Sequence, residues 1–251
     1  MRILLLTAVV LFQWNVSFGQ DSLSTAEWFR NQSLIEMCDT FPTDKCPSMH
    51  GFIEIYEPLF EPIRDDSVRI FEIGILRGLS HLMWRNYFQN GEIYGIDLKD
   101  YSEVAARDGI LTYVADQSNR DDLNAFLEFS GGKFDVILDD GGHAMDHQQV
   151  SLGYLFSEVK PGGMFIVEDV HTSLPQVYPD TSFKVNDVET NTTLLMLETF
   201  VRTGRIYSEY MTQEEATYLE NNIERVELHY RRNMRHSIVC IIHKKEEVVG
   251  Q

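Results

Sequence analysis

Residues 133–170, KFDVILDDGGHAMDHQQVSLGYLFSEVKPGGMFIVEDV, decide the fold. An apolar run, KFDVILDD (133–140), is short, bounded by polar residues and rich in β-formers, which predicts a buried strand. AMDHQQVSLGYLFSEV (144–159) carries apolar residues at helical spacing. Pro161-Gly162-Gly163 is expected to turn the chain into MFIVEDV (164–170), a second buried strand. Strand, helix and strand in about forty residues make a βαβ unit, and a unit of this kind builds a parallel sheet covered on both faces.

The same alternation extends outward in both directions. Upstream lie RIFEI (69–73), a helix over GLSHLMWRNYF (78–88), EIYGIDL (92–98), GILTYVA (109–115) and a helix over SNRDDLNAFLEF (118–129), capped by Ser118 or Asn119. Downstream are helices near 188–203 and 212–221 and two strands, ERVELHY (224–230) and RHSIVCIIH (235–243). Only RRNM (231–234) joins these last two, too short for a crossover, so they pair antiparallel. The expected architecture is α/β: a doubly wound, mostly parallel seven-stranded sheet of the class I methyltransferase, Rossmann-like type, closed by an antiparallel hairpin over its C-terminal strands. This domain spans 67–251. Residues 21–66, broken by Pro42, Pro47, Pro58 and Pro62, form an N-terminal helical segment expected to cover the active site.

ILLLTAVVLFQW (3–14), after Arg2 and before a small and polar run, is the pattern of a secretory signal peptide over 1–20. Its apolar stretch is shorter than the roughly 20 residues of a membrane span. The expected address is the secretory pathway, secreted or Golgi lumen, with no membrane contact beyond the leader. Cys38 and Cys46 could pair there, while Cys240, within a strand-like run, reads as a buried thiol. Asn31-Gln32-Ser33 and Asn191-Thr192-Thr193 have the form of glycosylation sequons. A formal charge of −18 over 251 residues argues against a nucleic-acid partner, because phosphate binding needs clustered Lys and Arg.

Ligands of doubly wound sheets sit beyond the carboxyl ends of the strands. The first strand is followed by Glu72, Gly74 and Gly78 as E-x-G-x-x-x-G, which lacks the middle glycine that a dinucleotide pyrophosphate requires. Asp97 ends the second strand, placed to accept both hydroxyls of a ribose, and Asp116-Gln117 follow the third, suited to an adenine amino group. Singly, each is more often a turn residue; in this order they point to S-adenosylmethionine. Asp139-Asp140 end the fourth strand and Glu168-Asp169 the fifth. Neighbouring strands lie about 4.8 Å apart, so Asp140, Glu168 and Asp169 would repel one another unless they share a cation, and oxygen donors suit Mg²⁺ better than Zn²⁺. His143, three residues beyond Asp140, can take a hydroxyl proton near neutral pH.

TDK (43–45) with His50 and Tyr56, FEIGILRG (71–78), GIDL (95–98), ADQS (115–118), DDGGH (139–143), PGG (161–163) and EDVHTS (168–173) together resemble the metal-dependent sugar O-methyltransferases of macrolide biosynthesis, of the macrocin and mycinamicin type. The resemblance implies Mg²⁺ on Asp140, Glu168 and Asp169 and His143 as general base; the residues expected from the strand ends to hold S-adenosylmethionine are Glu72, Gly74, Gly78, Asp97, Asp116, Gln117 and Asp139. It departs from that family in its leader and in an N-terminal region too short for the family's auxiliary domain. The expected activity is methyl transfer to a hydroxyl of a small-molecule or glycan acceptor. A catechol or other vicinal diol as acceptor, or a non-catalytic binding protein of the same fold, are the alternatives, and a homo-oligomer stays open.

Overall fold

The computed structural model describes residues 25–247 apart from 104, 106–108, 179–180, 186–187, 190 and 233–235. The leader expected over 1–20 lies outside the described residues. Seven strands form one sheet: β1 (Arg69–Ile73), β2 (Glu92–Asp97), β3 (Ile110–Val114), β4 (Phe134–Asp139), β5 (Val159–Val167), β6 (Ile223–Arg231) and β7 (Ser237–Lys244). Their spatial order is β3-β2-β1-β4-β5-β7-β6. The first five run parallel, and β7 lies antiparallel between β5 and β6.

Side chains alternate between the two faces along each strand, and both faces are covered, so the strands read as near-continuous apolar runs. Phe71, Ile73, Ile137 and Phe165 enter a core layer with Leu123, Phe126, Leu152, Leu197 and Leu219. These five come from helices α5 (Arg120–Ser130), α6 (Met145–Leu155), α7 (Thr193–Thr203) and α8 (Gln213–Asn222), numbered after those on the other face. Ile70, Val136, Leu138, Ile166 and Ile241 point the other way, against α1 (Thr25–Arg30), α2 (Leu34–Met37), α3 (Ile53–Phe60) and α4 (Leu79–Tyr87), which contribute Phe29, Leu34, Tyr56, Phe60 and Trp84. The N-terminal segment is therefore built into the second core layer.

Local signals set the helix ends. Asn119 caps α5 by accepting the Asp121 N–H, and Gly131 ends it with φ near +79°. Thr212 and Glu215 form a reciprocal capping box at α8. PGG (161–163) lies within β5 instead of forming the expected turn before it. The ladder with β4 shifts register between the Phe134–Val159 and Val136–Met164 pairs, so the extra residues are absorbed as a bulge. Cys38 and Cys46 are joined in a disulfide and Cys240 is free and buried. Of the two sequon asparagines, Asn31 is exposed, whereas Asn191 is 2% exposed and its carbonyl accepts from Gln149. No described helix is long and apolar enough to cross a membrane.

Candidate active site

The carboxyl ends of β1, β2, β3 and β4 open into a cavity of about 590 Å³, within the usual range of small-molecule sites. Gly74, Asp97, Asp116, Gln117, Asp140 and His143 line it, together with Lys45 and Met49 from the N-terminal segment. The loop after β1 is a tight turn closed by a Gly78 N–H bond to the Ile75 carbonyl at 2.7 Å. Within the turn the Ile75 and Leu76 amides donate to Asp97 Oδ2 at 2.9 and 3.4 Å, and Lys99 N–H donates to Oδ1 at 3.1 Å. Asp97 is thus fixed in the cavity wall, with lone pairs left for a diol. Asp116 Oδ1 accepts from the Ser118 amide and hydroxyl at 2.8 and 2.7 Å. Gln117 bridges two strand ends: its amide donates to Asp139 at 2.9 Å and its carbonyl accepts from Gly142 N–H at 2.7 Å.

Three expected cofactor residues stand elsewhere. Asp139 is fully buried and does not line the cavity; Gln117 and the Ser151 hydroxyl of α6 donate to it. The reason is the strand period: Asp139 shares the face of Ile137 and points into the α6 layer, whereas Asp140 turns the other way. Glu72 shares the face of Ile70. It is fully buried beneath the loop, accepting from the Trp84 indole at 2.7 Å and lying 3.2 Å from Lys45 Nζ. Gly78 does not line the cavity either; with φ of +70° it starts α4.

At the β4 and β5 ends, strand pairing sets Asp139 opposite Val167, so Asp140 and Glu168 emerge side by side. Asp140, His143 and Asp169 each offer a ligand atom within 4.8 Å of one another. His143 Nε2 lies 3.5 Å from Asp169 Oδ2 and 3.9 Å from Asp140 Oδ1. Asp169 Oδ1 and His143 Nδ1 are buried without a hydrogen-bond partner. The two carboxylates, one with an orphaned oxygen, fit a small divalent cation, and the His143 imidazole stands beside them. Glu168, expected as the third carboxylate ligand, is not one of these three residues: Tyr56 Oη donates to its Oε1 at 2.8 Å and Lys45 Nζ lies 3.2 Å from its Oε2.

The electrostatics are those of crowded buried acids. Burial pushes Asp140 up to about 7 against the pull of Lys45 and His143. Burial first, then the charge of Asp140, raises Glu168 well above the usual carboxylate range. Burial likewise raises Tyr56, whose proton the neighbouring Glu168 holds in place. His171 is buried beside the cluster, its Nδ1 3.7 Å from Asp169 Oδ1, and burial lowers its pKa. Leu76, His143 and Asp169, at the ends of β1, β4 and β5, all have positive φ, between 49° and 53°. Such backbone costs about 1–2 kcal/mol per residue outside glycine and concentrates where side chains must be aimed. The glycines of DDGGH have a packing reason: a Cβ at Gly141 or Gly142 would collide with Gln117 or His147. Lys45, Tyr56, His50 and His171 fell within the motifs of the sequence, but nothing local gave them a partner.

Comparison with solved structures settles the architecture. The chain superposes on the MycE methyltransferase from the mycinamycin biosynthetic pathway, in complex with Mg, SAH and mycinamycin VI, with TM-score 0.70 and 28% identity, over 88% of this chain and 57% of that one. The fold is that of a class I methyltransferase. By sequence it is 37% identical over 147 residues to demethylmacrocin O-methyltransferase of Streptomyces fradiae, covering 56% of this chain and 37% of that protein. It is 34% identical over 151 residues to mycinamicin VI 2''-O-methyltransferase of Micromonospora griseorubida, covering 57% and 37%. The chain thus spans little more than a third of the length of these curated relatives. No family profile matches it.

Proposed function

We propose that the chain is an S-adenosylmethionine- and divalent-metal-dependent O-methyltransferase acting on a hydroxyl of a sugar or glycan. The observation that carries this reading is the adjacency of the strand-end cavity to the Asp140, His143 and Asp169 cluster, which share the residues Asp140 and His143. The sugar as acceptor rests on the relatives named above. When bound, the cofactor supplies the methyl group and the cation supplies positive charge beside the oxygen that loses its proton. The chain does the rest. Asp97 and Asp116 orient the nucleoside, and Asp140 and Asp169 hold the cation. His143 takes the hydroxyl proton at Nε2, the nitrogen turned toward the acids. The Cys38–Cys46 disulfide supports an oxidising, secretory compartment, and exposed Asn31 suits a glycan there.

The test is release of S-adenosylhomocysteine with a panel of vicinal-diol sugars, with and without EDTA. EDTA is expected to abolish turnover and leave S-adenosylmethionine affinity within about threefold, because Asp97 and Asp116 lie outside the metal cluster. Full activity in metal-free protein would remove the metal from the reading.

A further inference from the structure

Within the acidic face one cation comes from the protein itself. Lys45 is 1% exposed. Its ammonium is bonded to Asp140 Oδ2 and lies 3.2 Å from both Glu72 Oε1 and Glu168 Oε2. Those three acids end or follow three different strands, β1, β4 and β5, and project from one face of the sheet. An ammonium has three donors and no acceptor; it is hydrogen-bonded to Asp140 Oδ2, and its two 3.2 Å contacts with Glu72 and Glu168 are ion pairs. A lysine this deeply buried persists only when it is so paired.

Its delivery is rigid. The Lys45 amide donates to Thr43 Oγ1 at 3.0 Å, and its carbonyl accepts from Ile53 N–H at 3.0 Å, which ties this part of the N-terminal segment to the start of α3. The next residue, Cys46, is held to Cys38 by the disulfide. The consequence is a division of oxygens. Lys45 engages Asp140 through Oδ2, and Oδ1 is the oxygen 3.9 Å from His143 Nε2. Glu168 has one oxygen on Tyr56 and the other on Lys45.

We propose that Lys45 is a positioning residue of the methyl-transfer site: its ammonium offsets part of the charge of Glu72, Glu168 and Asp140 beside the divalent cation and holds Asp140 with Oδ1 turned toward His143. The inference rests on the metal-dependent reading above. Lys45 then holds metal affinity below what the full set of acids would give, in exchange for a fixed carboxylate geometry. Removing the ammonium adds one net negative charge beside a divalent ion and releases three carboxylate oxygens. Coulomb attraction over a few ångströms outweighs the lost hydrogen bonds, so the affinity should rise.

The experiment is titration of the full chain, saturated with S-adenosylhomocysteine, with Mn²⁺ followed by electron paramagnetic resonance, alongside turnover. Lys45→Met is expected to bind Mn²⁺ at least about tenfold more tightly yet turn over at least about tenfold more slowly. Lys45→Arg keeps the charge and should stay within about threefold of wild-type affinity. A merely structural role would weaken binding instead. The double variant Lys45→Met/Glu72→Gln restores the net charge and is expected within about threefold of wild type in Mn²⁺ affinity; it decides the matter if the single variant does not fold. A folded Lys45→Met with less than that tenfold gain, or a double variant outside that threefold window, overturns the proposal. A wild-type chain that binds no Mn²⁺ overturns the metal reading and this inference with it, a result distinct from a wild type that binds and a Lys45→Met that does not respond.

Discussion

Gly74→Ala tests whether the ends of β1 and β4 abut as closely as the site requires. Gly74 has φ of +92°, a backbone conformation that L side chains rarely adopt. A Cβ there would lie 2.9 Å from the Asp140 carbonyl carbon and 3.2 Å from Gly141 Cα, with the Asp140 carbonyl oxygen closer still. All three are backbone atoms, so no side chain can swing aside. The conformational term is about 1–3 kcal/mol and the overpacking term about another 1–3 kcal/mol. The expected loss is therefore about 2–6 kcal/mol, a large part of a typical domain's stability. Gly131→Ala is the internal control: φ is +79°, but nothing lies within 4 Å of the added carbon. It should cost only the conformational term, about 1–3 kcal/mol. Urea unfolding of both variants reads the difference, and calorimetric titration with S-adenosylmethionine reads the effect on the cavity. The Asp140 backbone must move to admit the methyl group, so affinity should fall in Gly74→Ala and hold in Gly131→Ala. Equal losses of stability in the two variants would refute the close approach, and with it the account of why a glycine ends β1.

Asp97→Ala should weaken S-adenosylmethionine binding by at least about tenfold, because two charge-assisted hydrogen bonds to a diol are lost; an unchanged dissociation constant in a folded variant would move the ribose elsewhere. His143→Asn should lower the maximal rate by about 10²–10⁴-fold and leave Mn²⁺ affinity nearly unchanged, whereas matched losses in rate and metal affinity would make His143 a ligand and not the base. Cys38→Ser/Cys46→Ser opens a loop of sequence separation 8 and should cost about 2–3 kcal/mol in urea unfolding by chain entropy; no change would mean that the N-terminal segment is held without its crosslink.

Much of this site is written in local patterns. Short apolar runs alternating with helical periodicity specify a parallel sheet, because strands buried on both faces have no polar side to show. The order of E-x-G-x-x-x-G, Asp97, Asp116 and DDGGH follows strand order, and ligands gather at strand ends whatever the loops do. Boundaries were less legible: PGG lies inside β5 because a bulge can absorb glycines that would otherwise make a turn.

The division of labour among the acids is tertiary. Asp139 and Asp140 are neighbours with the same chemistry, yet one is a scaffold for Gln117 and Ser151 and the other faces the cavity, since the strand period sends them to opposite layers. Lys45 meets Asp140 across 95 residues and Tyr56 meets Glu168 across 112. No propensity or spacing encodes such a pairing. It exists because the N-terminal segment packs on one face of the sheet and brings a cation to three carboxylates that the strands had already set side by side.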